Sequence, residues 1–163
     1  MPRMQVLSFS GELLLRGFWL YVWEIECTVG NVWLYVGRTG DSSSAKAQSP
    51  FNRLSQHLGS NKHGNALRRQ LLGVGIQPET CRRFDMIAYG PIFQEAGTMA
   101  DHQPIRNRMA ALEKELRNAL HSAGYNVLNA VYCDHKLDDA LWAEVADAFR
   151  DRFPKLQSLE GGR

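Results

Sequence analysis

Two stretches, FWLYVWEIE at 18–26 and NVWLYVGR at 31–38, decide how this chain folds. Both concentrate aromatic and β-branched residues, which suit a pleated, half-buried surface, and Gly30-Asn31 between them is a turn signal. They read as two antiparallel strands with a short connection. Working outward, GDSSSAKAQS (40–49) is a polar loop, and Pro50 heads a helix with the apolar stripe Phe51, Leu54 and Leu58 and a stop at Gly59. A second short helix is predicted over 65–73, and CRRFDMIAYG (81–90) as a third strand before a loop with Gly90-Pro91 and Gly97. Met109, Leu112, Leu116 and Leu120, spaced by three and four, predict a helix over 104–122 with Gly124 as its stop. The last predicted helix covers 137–153. It carries Asp138 and Asp139 at its positive N-terminus and Leu137, Leu141, Trp142, Val145, Phe149 and Phe153 on one side, with LQSLEGGR at 156–163 as a frayed end.

With 163 residues, 44% hydrophobic and 22% charged, the chain is long and apolar enough to bury a core, which excludes wholesale disorder and predicts one domain over 1–163. No apolar run approaches the ~20 residues of a membrane span. Glu12 interrupts the apolar part of MPRMQVLSFSGELLLRG and no small-residue cleavage pattern follows, so the chain reads as cytoplasmic. Cys27, Cys81 and Cys133 are odd in number and widely spaced, with no Cys-x-x-Cys pair, and are expected to be reduced. The net charge of +2 is unevenly distributed. Residues 42–84 hold Lys46, Arg53, Lys62, Arg68, Arg69, Arg82 and Arg83 against Glu79 alone, while acidic residues predominate from 134 onward. That asymmetry suggests a positive face for a polyanion, or else a solvated helix face.

In chain order, Tyr21 on the first strand, Tyr35-Val36-Gly37 on the second, Arg53 and His57 on the next helix, Leu112-Glu113-Lys114-Glu115-Leu116, and Tyr125-Asn126 together resemble the GIY-YIG nuclease domain. The first motif reads Trp19-Leu20-Tyr21, keeping the hydroxyl but not the family's glycine. The resemblance implies an α+β fold, a small three-stranded antiparallel sheet flanked by helices, over 18–130, with 134–163 as a C-terminal helical extension. It also implies metal-dependent cutting of nucleic-acid phosphodiesters and an asparagine after the Glu-bearing helix. Asn126 and Asn129 both fit that place.

The residues can be weighed without the family. On a helical wheel Glu113 lies about 40° from Met109 and about 60° from Leu116, at the edge of the apolar stripe, whereas Glu115 falls well off it. A carboxylate facing inward needs a counter-charge or a cation, so Glu113 is the metal-ligand candidate. Arg53 and His57, at i and i+4, share a face opposite Phe51, Leu54 and Leu58, and are expected to point away from that helix's core contact. Tyr21 and Tyr35 share a face of the hairpin only if paired residue numbers sum to an even number. A tight turn at Gly30-Asn31 would separate them, so a longer loop or bulge is required, with Tyr21 then opposite Tyr35.

The expected chemistry is hydrolysis with Glu113 holding Mg²⁺ or Mn²⁺, Arg53 stabilising charge on phosphorus, and a tyrosine, Tyr21 by preference, taking a proton from water with help from His57. Arg38 is expected to favour the ionised tyrosine, and Arg38, Lys62, Arg68 and Arg69 to bind substrate. Double-stranded DNA is the expected partner, with a homodimer or partner protein as a further candidate. The alternative is an inactive module that keeps the fold and binds nucleic acid or protein.

Overall fold

The computed structural model describes residues 1–61 and 65–156; the predictions for Lys62 and for the end beyond 156 lie outside the described residues. The described residues form an α+β fold with a three-stranded antiparallel sheet and four α-helices. The strands are β1 (Phe18–Thr28), β2 (Asn31–Arg38) and β3 (Arg83–Phe93), in the order β2-β1-β3. The helices are α1 (Pro50–Leu58), α2 (Ala66–Gly73), α3 (Met99–Ser122) and α4 (Asp139–Arg150). No helix among the described residues is long and apolar enough to cross a membrane.

β1 is buried on both faces because it is central, which explains its nearly unbroken apolar run. Its even-numbered residues Phe18, Leu20 and Val22 join Leu34 and Val36 under α3 and α4, where Leu112, Leu116, Val145 and Phe149 complete a core. Its odd-numbered residues Tyr21, Trp23, Ile25 and Cys27 join Tyr35 in a second cluster closed by Leu67 and Leu71 of α2. Each fully buried side chain of this size contributes about 1.5–3 kcal/mol. The C-terminal helix α4 therefore packs on the core.

The hairpin turns at Val29-Gly30, with Thr28 opposite Asn31, an odd-sum pairing that by itself would put the two tyrosines on opposite faces. A bulge between Glu26 and Thr28 corrects this, and from Glu26↔Val32 to Leu20↔Arg38 the paired numbers sum to an even number. Tyr21 and Tyr35 share a face. They are not directly opposed as expected: Tyr21 faces Gly37, and Tyr35 faces Trp23.

Three helix boundaries differ from the periodicity. α3 begins at Met99, capped by Thr98, because Pro104 near a helix start removes only one internal hydrogen bond and does not end the helix. α4 begins at Asp139 and stops at Arg150, with Asp138 as its cap, although Phe153 still packs in the core. His102 is buried against Phe18 with ring centroids 5.1 Å apart. The three thiols are free, and the Sγ atoms of Cys27 and Cys81 lie 3.3 Å apart.

Candidate active site

The end of the β1–β2 hairpin is built by close approach. Tyr21 lies between Gly37 on β2 and Ala88 on β3, two small residues that leave room for its ring. A Cβ on Gly37 would stand 2.5 Å from the Tyr21 hydroxyl, so only glycine fits there. After Arg38, Thr39 is wholly buried. Its hydroxyl accepts from the Trp19 amide at 2.8 Å and donates to the Gly17 carbonyl at 2.6 Å, tying the start of β1 to the end of β2. Gly40 then turns in the left-handed region (φ 76°), where the Phe18 ring occupies the space of a side chain, and delivers Asp41 to the site.

α1 packs Leu54 and Leu58 of its apolar stripe on the second cluster, but its Arg53/His57 face does not point away as expected. His57 is only 3% exposed while Phe51 is at the surface, so the Arg53/His57 face turns inward toward the tyrosines. The helix can do this because the phenols supply hydrogen-bonding partners beneath an otherwise apolar sheet face. Tyr21 OH lies 2.5 Å from His57 Nε2, and Arg53 Nε donates to the same oxygen at 3.4 Å. A guanidinium can only donate, and His57 Nε2 is the one acceptor within reach of the phenol among the described residues, so the Tyr21 proton points at His57. The neutral imidazole then carries its own proton on Nδ1, which is buried without a partner among the described residues. The Tyr35 ring meets His57 edge-on at 5.1 Å.

The rest of the Arg53 fork is held by two residues the sequence reading did not select. Nη2 pairs with Asp41 at 3.0 Å and Nη1 donates to Gln56 at 2.8 Å. Gln56 gave no signal beyond its place one turn from Arg53. Asp41 gave a weak one, an acidic residue directly after the Tyr-Val-Gly-Arg-Thr-Gly run and at the edge of an otherwise basic region.

On α3, Glu113 faces inward as the wheel predicts, and Arg38 Nε donates to its Oε2 at 2.7 Å with both side chains largely buried. Burial raises the Glu113 pKa, with the Arg38 charge pulling it back. Burial also raises Tyr21 well above the ordinary phenol value and Tyr35 to about 12; Arg53 opposes both shifts and Glu113 adds to both. Arg38 is therefore engaged by Glu113 and does not supply the ionised tyrosine expected of it.

Asn126 and Asn129 now separate. The 126–129 segment runs parallel to β2, with Leu34 N donating to Asn126 O at 2.7 Å and Leu128 N to Leu34 O at 2.8 Å. Asn129 then continues the pairing with its side chain, accepting from Val36 N at 3.0 Å and donating to Val36 O at 2.8 Å. It is buried and holds the backbone between Tyr35 and Gly37. Asn126 is exposed and reaches Val32 O only at 3.5 Å.

Of the expected substrate-binding cations, Arg68 is committed elsewhere. It donates to the Gly59 and Leu58 carbonyls and pairs with Glu79. Arg82 and Arg83 pair with Glu26, Glu24 and Asp85. The basic 42–84 region is thus largely neutralised by acidic residues, mostly from other segments, a pairing that its composition does not show. Arg69 is exposed, makes no ion pair among the described residues, and lies close enough to Tyr35 for its charge to lower that phenol's pKa.

Burial, reinforced by Arg53, lowers the His57 pKa to about 4. A histidine depressed from about 6.5 contributes stability that is complete above pH 6.5 and lost as pH falls toward 4, because the unfolded chain takes the proton first. The full effect is about 3 kcal/mol. Glu113, shifted upward, acts with the opposite sign at low pH. Chemical denaturation of wild type and His57→Gln between pH 7 and pH 4 isolates the histidine: the wild-type curve should fall more steeply, and parallel curves would remove His57 from this buried, neutral role.

A scan against protein-family models and searches of curated proteins and of solved structures find no match to the chain.

Proposed function

We propose that the chain is a metal-dependent endonuclease of the GIY-YIG type, a hydrolase of nucleic-acid phosphodiesters, with double-stranded DNA as the first substrate to test. The observation that supports this most is the gathering of Tyr21, Tyr35, the Arg53–His57 pair and Glu113 at one end of the hairpin, from four separate stretches of chain. His57 touches both phenol rings, Arg53 reaches Tyr21, and the Glu113 charge acts on both phenols.

Among the described residues, no three His, Cys, Asp or Glu side chains gather around a possible metal position. Glu113 nevertheless offers a hard oxygen: Oε2 is taken by Arg38, while the other carboxylate oxygen has no protein partner among the described residues. That suits Mg²⁺ or Mn²⁺, cations that keep several waters and accept phosphate oxygens as further ligands. Bound there, the ion would neutralise phosphate charge and favour departure of the leaving oxygen.

The chain's own groups would do the rest. Arg53 exchanges the Asp41 carboxylate for a phosphate oxygen, one charge-assisted pair for another. Once that exchange opens the wholly buried Tyr21 hydroxyl to water, Tyr21 passes its proton to His57 Nε2 while taking one from the attacking water, so no free tyrosinate forms and the upward shift of its pKa is no obstacle. The imidazolium that results is disfavoured by burial and by Arg53 until negative charge develops on the phosphorus oxygens beside it. Asn129 and Thr39 hold the strand ends that carry these groups, and Arg69 adds positive charge at the rim.

Supercoiled plasmid incubated with the chain and Mg²⁺ or Mn²⁺ should be nicked or linearised, and EDTA should stop the reaction. Plasmid that is retarded in a gel but left intact with both metals would assign the site to binding without chemistry.

A further inference from the structure

Arg38 borders a second cavity besides the site. Between α3 and residues 132–135 lies a polar pocket of about 250 Å³ whose wall includes Arg38, Arg106, Asn107, Tyr132, Asp134 and His135. Arg38 gives Nε to Glu113 and keeps Nη1 buried without an acceptor among the described residues. Arg106 has no ion pair or hydrogen bond among the described residues, so its charge is uncommitted. The wall thus sets one uncommitted guanidinium, Arg106, and one already paired with Glu113 against one carboxylate, Asp134, which is exposed. Beside them Tyr132 is 94% exposed, whereas the other four tyrosines are buried or half-buried. Its segment is nonetheless anchored: Lys114 Nζ of α3 donates to the neighbouring Cys133 carbonyl at 2.5 Å. An aromatic ring held out from a fixed backbone next to uncommitted positive charge is the combination that binds single-stranded nucleic acid, the ring stacking a base and the cation taking a phosphate.

We propose that this pocket is a second phosphate subsite for a nucleic-acid strand, in which Arg106 and Arg38 receive a backbone phosphate and Tyr132 stacks on an adjacent unpaired base. The proposal rests on the nuclease reading and narrows it. The strand leaves the site along α3, not over the 42–84 region whose arginines are mostly paired, and it carries unpaired bases on that side of the cut, since a ring cannot stack on a base still inside a duplex. Asp134 limits how many phosphates the pocket accepts, and the Asn107 amide and His135 offer further donors.

The test is fluorescence anisotropy with a labelled short single strand and with the same sequence as a duplex, in EDTA so that nothing is cut, at several salt concentrations. Tyr132→Ala should weaken single-strand binding about tenfold with little effect on the duplex, and Tyr132→Phe should bind as wild type does. Arg106→Gln should weaken single-strand binding and reduce the slope of log K against log salt by about one. Tyr132 is 94% exposed, so its variants should melt with wild type. Wild-type affinity in both Tyr132→Ala and Arg106→Gln would overturn the subsite while leaving the nuclease reading intact. A wild-type chain that binds no nucleic acid overturns both, and one that binds through Tyr132 but never cuts plasmid supports the subsite and overturns the nuclease.

Discussion

Glu113→Gln should lower metal-dependent cutting by on the order of 10³-fold, the rate equivalent of several kcal/mol of transition-state charge stabilisation at about 1.36 kcal/mol per tenfold. Glutamine keeps the length and planarity of the side chain, and its carbonyl oxygen can still accept from Arg38 Nε, now at 2.7 Å from the carboxylate. The lost charge is therefore the main change. Arg38 loses its ion-pair partner, so some loss of melting temperature is expected, smaller than the roughly 3–5 kcal/mol of a fully buried orphaned charge because the pair retains some contact with water. Two measurements separate the causes. Calorimetric titration with Mn²⁺ should show binding to wild type and none to Glu113→Gln, while the circular dichroism spectra of the two proteins coincide. Full turnover by the variant would remove Glu113 from the chemistry. Loss of turnover with Mn²⁺ binding unchanged would make it a positioning residue acting through Arg38.

Gly37→Ala should have the second largest effect, and through packing alone. The added carbon would stand 2.5 Å from the Tyr21 hydroxyl and 2.6 Å from Cζ, far inside van der Waals contact. Tyr21 is wholly buried and its hydroxyl is held by His57 and Arg53, so its ring has no open space to enter. Either β2 shifts or the ring is displaced and the proton path breaks. Overpacking of this kind costs about 1–3 kcal/mol, and displacement of a reacting group by about 1 Å reduces rate on the order of 10²-fold. Urea denaturation and plasmid cutting read the two effects separately. In a Tyr21→Ala background the ring is gone and Gly37→Ala should cost almost nothing. An equal cost in both backgrounds would show that the glycine is needed for its backbone and not for the Tyr21 ring.

Much of the fold was legible because it is written in short-range patterns. The aromatic and β-branched runs at 18–26 and 31–38 became the central strand and its neighbour, and Met109, Leu112, Leu116 and Leu120 became the buried face of α3. Glu113 was found for the same reason: its angle from that stripe is a property of one helix. α1 misleads because its apolar stripe is only part of its buried surface: Leu54 and Leu58 pack on the second cluster, while the polar pair is also buried, on the tyrosines. The basic region misled in a similar way, since Glu24 and Glu26 on β1 and Asp85 on β3, which neutralise Arg82 and Arg83, all lie outside it.

The amino-acid order alone determined which segments become strands and helices and which single residues are candidates for chemistry, because periodicity and side-chain type act over a few residues at a time. The tertiary structure alone decided that a bulge at Cys27 returns Tyr21 and Tyr35 to one face, that Asn129 and not Asn126 clamps Val36 across 93 positions, and that Arg38 rests on Glu113 across 75. Those outcomes depend on register and on packing between remote segments, where one residue's slip reverses a face, and no local pattern encodes a distance of that kind.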